Sequence, residues 1–237
     1  MTADEQKKAA ALAALEYIKP GMKVGLGTGS TANHFIRALA EKARAGLDVE
    51  CVPTSQATHQ LASQLGLKMT TLEKNPYLDV TVDGADEFDG NFQLIKGGGG
   101  ALLVEKIVAS SSRYMVVIAD ASKKVETLGK FPLPVEVIPF GVNATAWKID
   151  RALRLNKLTG KQVLRLKDGR PFRTDSGNAI IDVSIGAIPD PGRLSMYLNN
   201  IPGVVDDGLF IDICGIVLMG TAEGVVTFKK PVTQPAA

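Results

Sequence analysis

Four short stretches of this sequence carry side chains and backbone that can do chemistry. The first is Gly25-Leu26-Gly27-Thr28-Gly29-Ser30-Thr31. Glycines there allow a tight turn and expose backbone N–H groups, and a helix starting beside them adds a partial positive charge. Such a place suits a phosphate, with the hydroxyls of Thr28, Ser30 and Thr31 as further donors. A tight turn with Thr31 as helix N-cap is the plainer alternative. A dinucleotide fingerprint needs a further glycine where Ser30 stands, and no Gly-Lys-Ser/Thr follows. Neither a nicotinamide-dinucleotide loop nor a Walker loop is therefore expected.

The second stretch is Asp83-Gly84-Ala85-Asp86-Glu87, after the apolar Val80-Thr81-Val82. It places three carboxylates at the C-terminal end of a strand, where α/β sheets bind their ligands. Crowded carboxylates raise one another's pKa, which suits general acid–base work. A magnesium site is the rival reading and a solvated acidic loop the plain one. Basic residues close by can neutralise the cluster without a metal.

The third stretch is Lys96-Gly97-Gly98-Gly99-Gly100, which feeds a helix carrying Glu105 one turn in. Four consecutive glycines are costly in entropy and imply backbone lying close against a ligand, beside the Lys96 ammonium. A flexible linker is the alternative, but linkers carry polar residues and do not run straight into an apolar helix. The fourth is Asp120-Ala121-Ser122-Lys123, again at a strand end. Carboxylates, lysines and a phosphate cradle together suit proton abstraction beside the carbonyl of a sugar phosphate. A carboxylate takes the proton and a lysine stabilises the enolate oxygen. No cofactor and no metal is called for. His34 and His59 stand alone on helices, and Cys51 and Cys214 lie in apolar, strand-like stretches that read as inert core thiols.

The elements that must position these loops alternate in the first half of the chain. Helices are expected over residues 4–19, 31–45, 55–65 and 101–111. Strands are expected over 23–26, 49–53, 78–82 and 115–119. Such alternation implies parallel pairing in a layered, Rossmann-like sheet. Pro132, Pro134 and Pro139 then mark a boundary. Beyond it the order is strand 135–138, helix 142–155, strand 162–166, strand 179–184, helix 192–199 and a short strand near Val204, with a turn at Gly169-Arg170-Pro171. That order is βαββαβ, the ferredoxin-like arrangement. Apolar segments 209–218 and 225–228 read as strands rejoining the first sheet. The expected fold is thus α/β: a Rossmann-like domain of residues 1–131 plus 207–237, with a smaller ferredoxin-like α+β domain of residues 132–206 inserted. The tail Pro231–Ala237 lacks core residues and is expected to fray.

Composition narrows the function classes. The 237 residues are 45% hydrophobic and 22% charged, which is globular. A formal net charge of +2 is too balanced for a general nucleic-acid binder. Two cysteines fit a reducing compartment better than a disulfide framework. No stretch reads as a signal peptide or membrane span, so a cytoplasmic protein with no membrane partner is expected.

The motifs GLGTGST, DGADE, KGGGGALLVEK and IADASK, in that order, resemble ribose-5-phosphate isomerase, type A. So do the N-terminal Asp4-Glu5-Gln6-Lys7-Lys8, the segment Thr174-Asp175-Ser176-Gly177-Asn178 and GLF…GTAEGV near the C-terminus. The resemblance runs nearly end to end. It implies metal-independent interconversion of D-ribose 5-phosphate and D-ribulose 5-phosphate, in the pentose phosphate pathway, by a homodimer or tetramer. Carried over residue by residue, it makes Glu105 the base that shuttles a proton through an enediolate. Asp83 and Lys96 act on the hydroxyl and carbonyl oxygens and assist ring opening, and Asp86 supports them. Substrate contacts are implied for Lys7, Thr28, Gly29, Ser30, Thr31, Gly84, Ala85, Gly97, Gly98 and Lys123. Leu103-Val104 departs from the Thr-Arg pair common in the family, and Ile213-Cys214-Gly215 from a stretch ending in Ala-Asp. Two other classes would make different use of the loops: a sugar-phosphate sensor, for which no DNA-binding module or basic face is present, and a nucleotide-dependent dehydrogenase.

Overall fold

The computed structural model describes residues 1–231, and the expected fraying of the tail falls, from residue 232 on, outside them. Helix α1 (Ala3–Ala13) opens the chain and tightens into a further helical turn over Ala14–Tyr17. A capping box fixes its start: Glu5 N–H donates to Thr2 Oγ1 at 3.3 Å, and Thr2 N–H donates to Glu5 Oε2 at 2.6 Å. Then follow β1 (Lys23–Leu26), α2 (Ser30–Arg44), β2 (Glu50–Pro53), α3 (Gln56–Gln64), β3 (Val80–Asp83), β4 (Glu87–Phe88), β5 (Leu94–Ile95), α4 (Leu102–Ser110) and β6 (Met115–Asp120). The second half holds β7 (Leu133–Val137), α5 (Val142–Leu155), β8 (Lys161–Leu164), β9 (Leu166–Lys167), β10 (Arg170–Pro171), β11 (Ala179–Ser184), α6 (Pro191–Asn199) and β12 (Val204–Asp207). The chain ends through β13 (Leu209–Phe210), β14 (Cys214–Gly220) and β15 (Val225–Lys229).

The main sheet has the order β15-β14-β6-β3-β1-β2, parallel except for β15. Its inner strands are covered on both faces: β3 and β6 are buried throughout. One face packs on α1 and α2 around Phe35, Ile36, Leu39 and Ile118. The other holds Phe88, Leu94, Met115 and Phe210. After β1 the chain builds β2 on one side, then returns to place β3 on the other. The loops leaving β1 and β3 therefore splay apart at the C-terminal edge and open a crevice there.

A second, antiparallel sheet has the order β12-β7-β11-β8 and a core of its own, with Val135, Ile149, Leu153, Ile181 and Leu194 buried against α5 and α6. The chain enters this unit after β6 and leaves it before β13.

Three local expectations need correction. Residues 209–218 do not form one strand. Asp212 takes a left-handed φ of +58 and breaks it, so that Leu209–Phe210 pairs with β5 in a small antiparallel sheet while Cys214–Gly220 joins the main one. The expected strand over 162–166 stops at Leu164, and the turn at Gly169 is the tip of the hairpin β9–β10, with Asp168 and Gly169 both left-handed. The first helix ends two residues short of Lys19, before the Pro20-Gly21 stop. No helix among the described residues is long and apolar enough to cross a membrane.

Candidate active site

The crevice brings the first two motifs into contact. Gly27 N–H donates to Val82 O at 2.9 Å, and Thr28 N–H donates to Asp83 Oδ1 at 3.1 Å. A Cβ on Gly27 would lie 2.1 Å from Asp83 Oδ1 and 2.6 Å from Asp83 Cα, so only glycine lets the loop lie this close to the carboxylate. Helix α2 begins at Ser30, one residue earlier than expected, with Gly29 as N-cap and no side-chain cap. Its first-turn N–H groups are left for a ligand, as the phosphate reading requires. Lys7 of α1 donates from Nζ to Ser30 Oγ at 3.4 Å.

The hydroxyl of Thr28 is committed elsewhere. Thr54 Oγ1 donates to Leu26 O and Thr58 Oγ1 to Gly27 O, each at 2.9 Å. Their protons thus used, Thr28 is the donor toward Thr54 Oγ1 at 2.7 Å or Ser55 Oγ at 2.8 Å. Of the three hydroxyls expected to face a phosphate, those of Ser30 and Thr31 are free of this cluster, and that of Thr28 ties the loop to the start of α3. Thr54 and Thr58, both buried, were not singled out from the sequence. Their only signal is the Ser/Thr cluster at an N-cap.

At the crevice floor three charges meet under almost no solvent. Asp83, Lys96 and Glu105 are 0%, 3% and 5% exposed. Lys96 Nζ lies 2.9 Å from Asp83 Oδ2 and 3.4 Å from Glu105 Oε2, and donates to Gly84 O at 2.6 Å. Asp83 Oδ1 also accepts from Gly84 N–H at 2.7 Å. Glu105 Oε2 has no hydrogen-bond partner although it is buried. Burial pushes the Glu105 carboxyl up to about 8, against the pull of Lys96 and with the help of Asp83 and Asp86. Burial also pushes Asp83 up, and Lys96, Gly84 and Thr28 oppose it. Burial alone would lower the Lys96 ammonium; the carboxylates of Asp83 and Glu105 outweigh it and hold it above its ordinary value. A carboxyl that burial holds near 8, loosely paired at 3.4 Å with a fixed cation, can accept a carbon-bound proton while the cation steadies the oxygen left behind.

A pocket of about 150 Å³ joins these parts. Glu105, Lys96 and Asp86 line its floor, Thr28 to Thr31 and Lys7 one wall, and Gly84, Ala85, Gly97 and Lys123 the rest. Asp83 is not part of the lining and is buried against Lys96. Gly98 also stays outside the lining, its N–H donating to Asp86 Oδ2 at 2.7 Å, and Gly99, not expected from the sequence, takes its place. Lys123 ends the turn Ala121–Lys123, which Asp120 caps through Ser122 N–H at 3.0 Å. His34 sits away from this pocket, its Nε2 3.0 Å from Asp4 Oδ1, and His59 is exposed on α3. Cys51 and Cys214 are buried, and burial pushes both thiols up to about 12. Among the described residues, no group of three or more His, Cys, Asp or Glu side chains is arranged to hold a metal ion.

Comparison with known proteins agrees with the motif reading. Residues 50–224 match the family model of ribose 5-phosphate isomerase A (phosphoriboisomerase A). Ribose-5-phosphate isomerase A of Parvibaculum lavamentivorans is 61% identical over 94% of this chain and 97% of its own length. That of Brucella suis is 54% identical over 96% and 99%. Among solved structures, a D-ribose-5-phosphate isomerase in complex with phospho-erythronic acid superposes with a TM-score of 0.90 at 40% identity, over 97% of this chain and 100% of that one. Ribose 5-phosphate isomerase from Plasmodium falciparum does so with a TM-score of 0.91 at 36% identity, over 96% and 99%. On these grounds the chain belongs to the ribose-5-phosphate isomerase A family.

Proposed function

We propose that this protein interconverts D-ribose 5-phosphate and D-ribulose 5-phosphate through an enediolate, the reaction of the non-oxidative pentose phosphate pathway, without a metal. The observation that carries this reading is the buried, unpartnered Glu105 Oε2 beside the Lys96 ammonium, in a pocket whose far wall is the uncapped start of α2. The substrate phosphate sits at that helix start, with Ser30, Thr31, Lys7 and Lys123 around it. The open-chain aldose then presents C2 to Glu105. Glu105 takes the C2 proton, and the electron pair moves onto the carbonyl oxygen at C1, which Lys96 stabilises. The same carboxyl returns the proton to C1 as the C2 hydroxyl becomes the ketone and its proton passes to the oxygen at C1. Lys96 manages the oxygen-bound protons and helps open the furanose ring, Asp83 acts through it from beneath the pocket surface, and Asp86 fixes the wall beside them through Gly98. The relative solved with phospho-erythronic acid supports a phosphorylated, polyhydroxylated chain as the kind of molecule this pocket takes.

Lys96 stands between Asp83 and Glu105, where a metal bridging those carboxylates would have to sit. That supports metal independence. The separate core of the antiparallel unit supports treating residues 132–206 as a domain inserted into one formed by residues 1–131 and 207–237. A cytoplasmic homodimer or tetramer is the state proposed for the working enzyme.

The test is conversion of ribose 5-phosphate by the purified chain in excess EDTA. Turnover is expected. Activity only after magnesium or manganese is added would move the acidic loop to a metal role. Binding of the sugar phosphate without turnover in either condition would replace the isomerase by a sensor.

A further inference from the structure

The pocket wall formed by the glycine run carries no side chains, so the direction of its peptide groups decides what it offers to a substrate. We propose that Arg165, which comes from the antiparallel unit and does not itself line the pocket, is the positioning residue that sets this wall. The proposal rests on the isomerase reading and deepens it.

Arg165 lies at the break between β8 and β9, and its guanidinium is held on two sides. Nε donates to Asp182 Oδ2 at 2.9 Å and Nη2 to Asp182 Oδ1 at 2.5 Å, a fork-to-carboxylate pair. Nη1 remains, and it donates to Gly97 O at 2.9 Å and to Gly98 O at 3.1 Å. The ring of Phe172 lies 5.8 Å from the guanidinium carbon. The same ring closes on Gly100, where an added Cβ would meet it at 2.4 Å.

These bonds orient two successive peptide units. The carbonyl of Gly97 and the N–H of Gly98 belong to one planar trans unit and point in opposite directions. The first faces Arg165 and the second donates to Asp86 Oδ2 at 2.7 Å. That peptide is therefore strung between the guanidinium at the β8–β9 break and the carboxylate in the loop after β3. The next unit has its carbonyl, Gly98 O, on the same Nη1, which turns the Gly99 N–H away from Arg165. Gly99 lines the pocket. A run of glycines explores many conformations unless it is held, and Gly97 and Gly100 already sit at φ of +108 and +85. One partly buried fork fixes both carbonyls and, through them, the amide edge offered to substrate. Lysine has one ammonium and cannot serve Asp182 and two carbonyls in this fork geometry.

The experiment compares wild type, Arg165→Ala and Arg165→Lys for turnover of ribose 5-phosphate, with added guanidinium ion and with urea as its uncharged counterpart. Wall misplacement of about 1 Å costs about 100-fold, so kcat of both variants should fall by about that factor. KM should stay within about threefold, because the phosphate site at α2 is untouched. Guanidinium should restore a saturable share of kcat in Arg165→Ala, and urea should restore none. A kcat within about twofold of wild type in either soluble variant overturns the proposal, on the scale set for a misplaced wall. So does a loss spread over kcat and KM with a lowered Tm and no guanidinium rescue, which marks a merely structural arginine. If Arg165→Ala fails to fold, Arg165→Lys decides alone by its kcat at unchanged Tm. A wild-type chain that binds but does not turn over the substrate defeats the isomerase reading instead, and the proposal with it.

Discussion

Glu105 on α4 and Glu136 on β7 begin alike. Both are buried, at 5% and 0% exposure, and both have an Oε2 without a hydrogen-bond partner. Burial pushes both carboxyls above their ordinary range. Their surroundings differ. Glu105 has an ammonium 3.4 Å away and opens on the 150 Å³ pocket. Glu136 accepts from Thr174 Oγ1 and Asn178 Nδ2, both neutral and both at 2.9 Å, and opens on a void of about 10 Å³, room for about one water. A shifted carboxyl is therefore not in itself a catalyst. It becomes one where a cation can hold the charge that its proton transfer creates and a substrate can reach it.

Substitution of Glu105 by Gln should break that contrast most strongly. Loss of a positioned general base costs about 10²–10⁴-fold, so kcat should fall by that much while sugar-phosphate binding persists. Near wild-type kcat would remove Glu105 as the base. In the wild type, kcat/KM should rise with pH and level off above about 8, as the Glu105 carboxyl loses its proton. Stability should move the other way. A carboxyl whose folded pKa is raised favours the fold below its unfolded value near 4.5 and loses that advantage as pH rises through about 8. Glu105→Gln should therefore melt about 3 °C above wild type at pH 9, with the gap closing by pH 5, since about 1 kcal/mol moves Tm by about 2–4 °C at this size.

Lys96→Met comes next. It removes a cation that stabilises developing charge, for about 10²–10³-fold in kcat. It also leaves Asp83, and Glu105 where it is ionised, buried without a counter-ion, at a cost of about 3–5 kcal/mol. The Lys96 pKa is raised, so the stabilisation is present below its unfolded value near 10.5 and is lost only as pH rises through the higher folded value. Thermal melts from pH 6 to 9 should show the deficit throughout. An equal Tm would mean that the triad does not hold the crevice floor together.

The two regions were unequally legible in the sequence. Strand-end loops announce themselves: Val80-Thr81-Val82 before Asp83, and Met115–Ala119 before Asp120, are apolar runs that stop at polar residues, and parallel topology puts such stops on one edge. The distance from Lys96 to Asp83 was not legible, because the small sheet of β4, β5 and β13 that turns Lys96 inward is built from two-residue strands, too short to show a period. The particular roles of Glu105 and Asp83 came from the family resemblance, not from spacing. Arg165 gave no signal at all. It is one of many basic residues near a hairpin, and its partners Gly97 and Gly98 are 68 and 67 positions away. Thr28 shows the same limit in reverse: its type suggested a phosphate donor, and only the fold shows Thr54 and Thr58 turning its proton inward.

The smallest effect is expected at Glu136, and it tests the contrast from the other side. Gln at this position keeps Oε1 as the acceptor for Thr174 and Asn178 and replaces only the unpartnered oxygen. Its removal of charge should matter only where Glu136 ionises, above the ordinary glutamate range. Because the folded pKa is raised, wild type loses stability relative to Glu136→Gln as pH rises through that value, and the two converge in acid. The expected gain is about 2 °C in Tm at pH 9, on the same scale of about 2–4 °C per kcal/mol. kcat should stay within about twofold, the scatter of a substitution that reaches no reacting atom. Glu136 nevertheless shares its small void with Leu103 and Val104, in the first turn of the helix that carries Glu105. A tenfold fall in kcat would therefore mean that the charge at Glu136 steadies the start of α4, and that the second glutamate governs where the first one points.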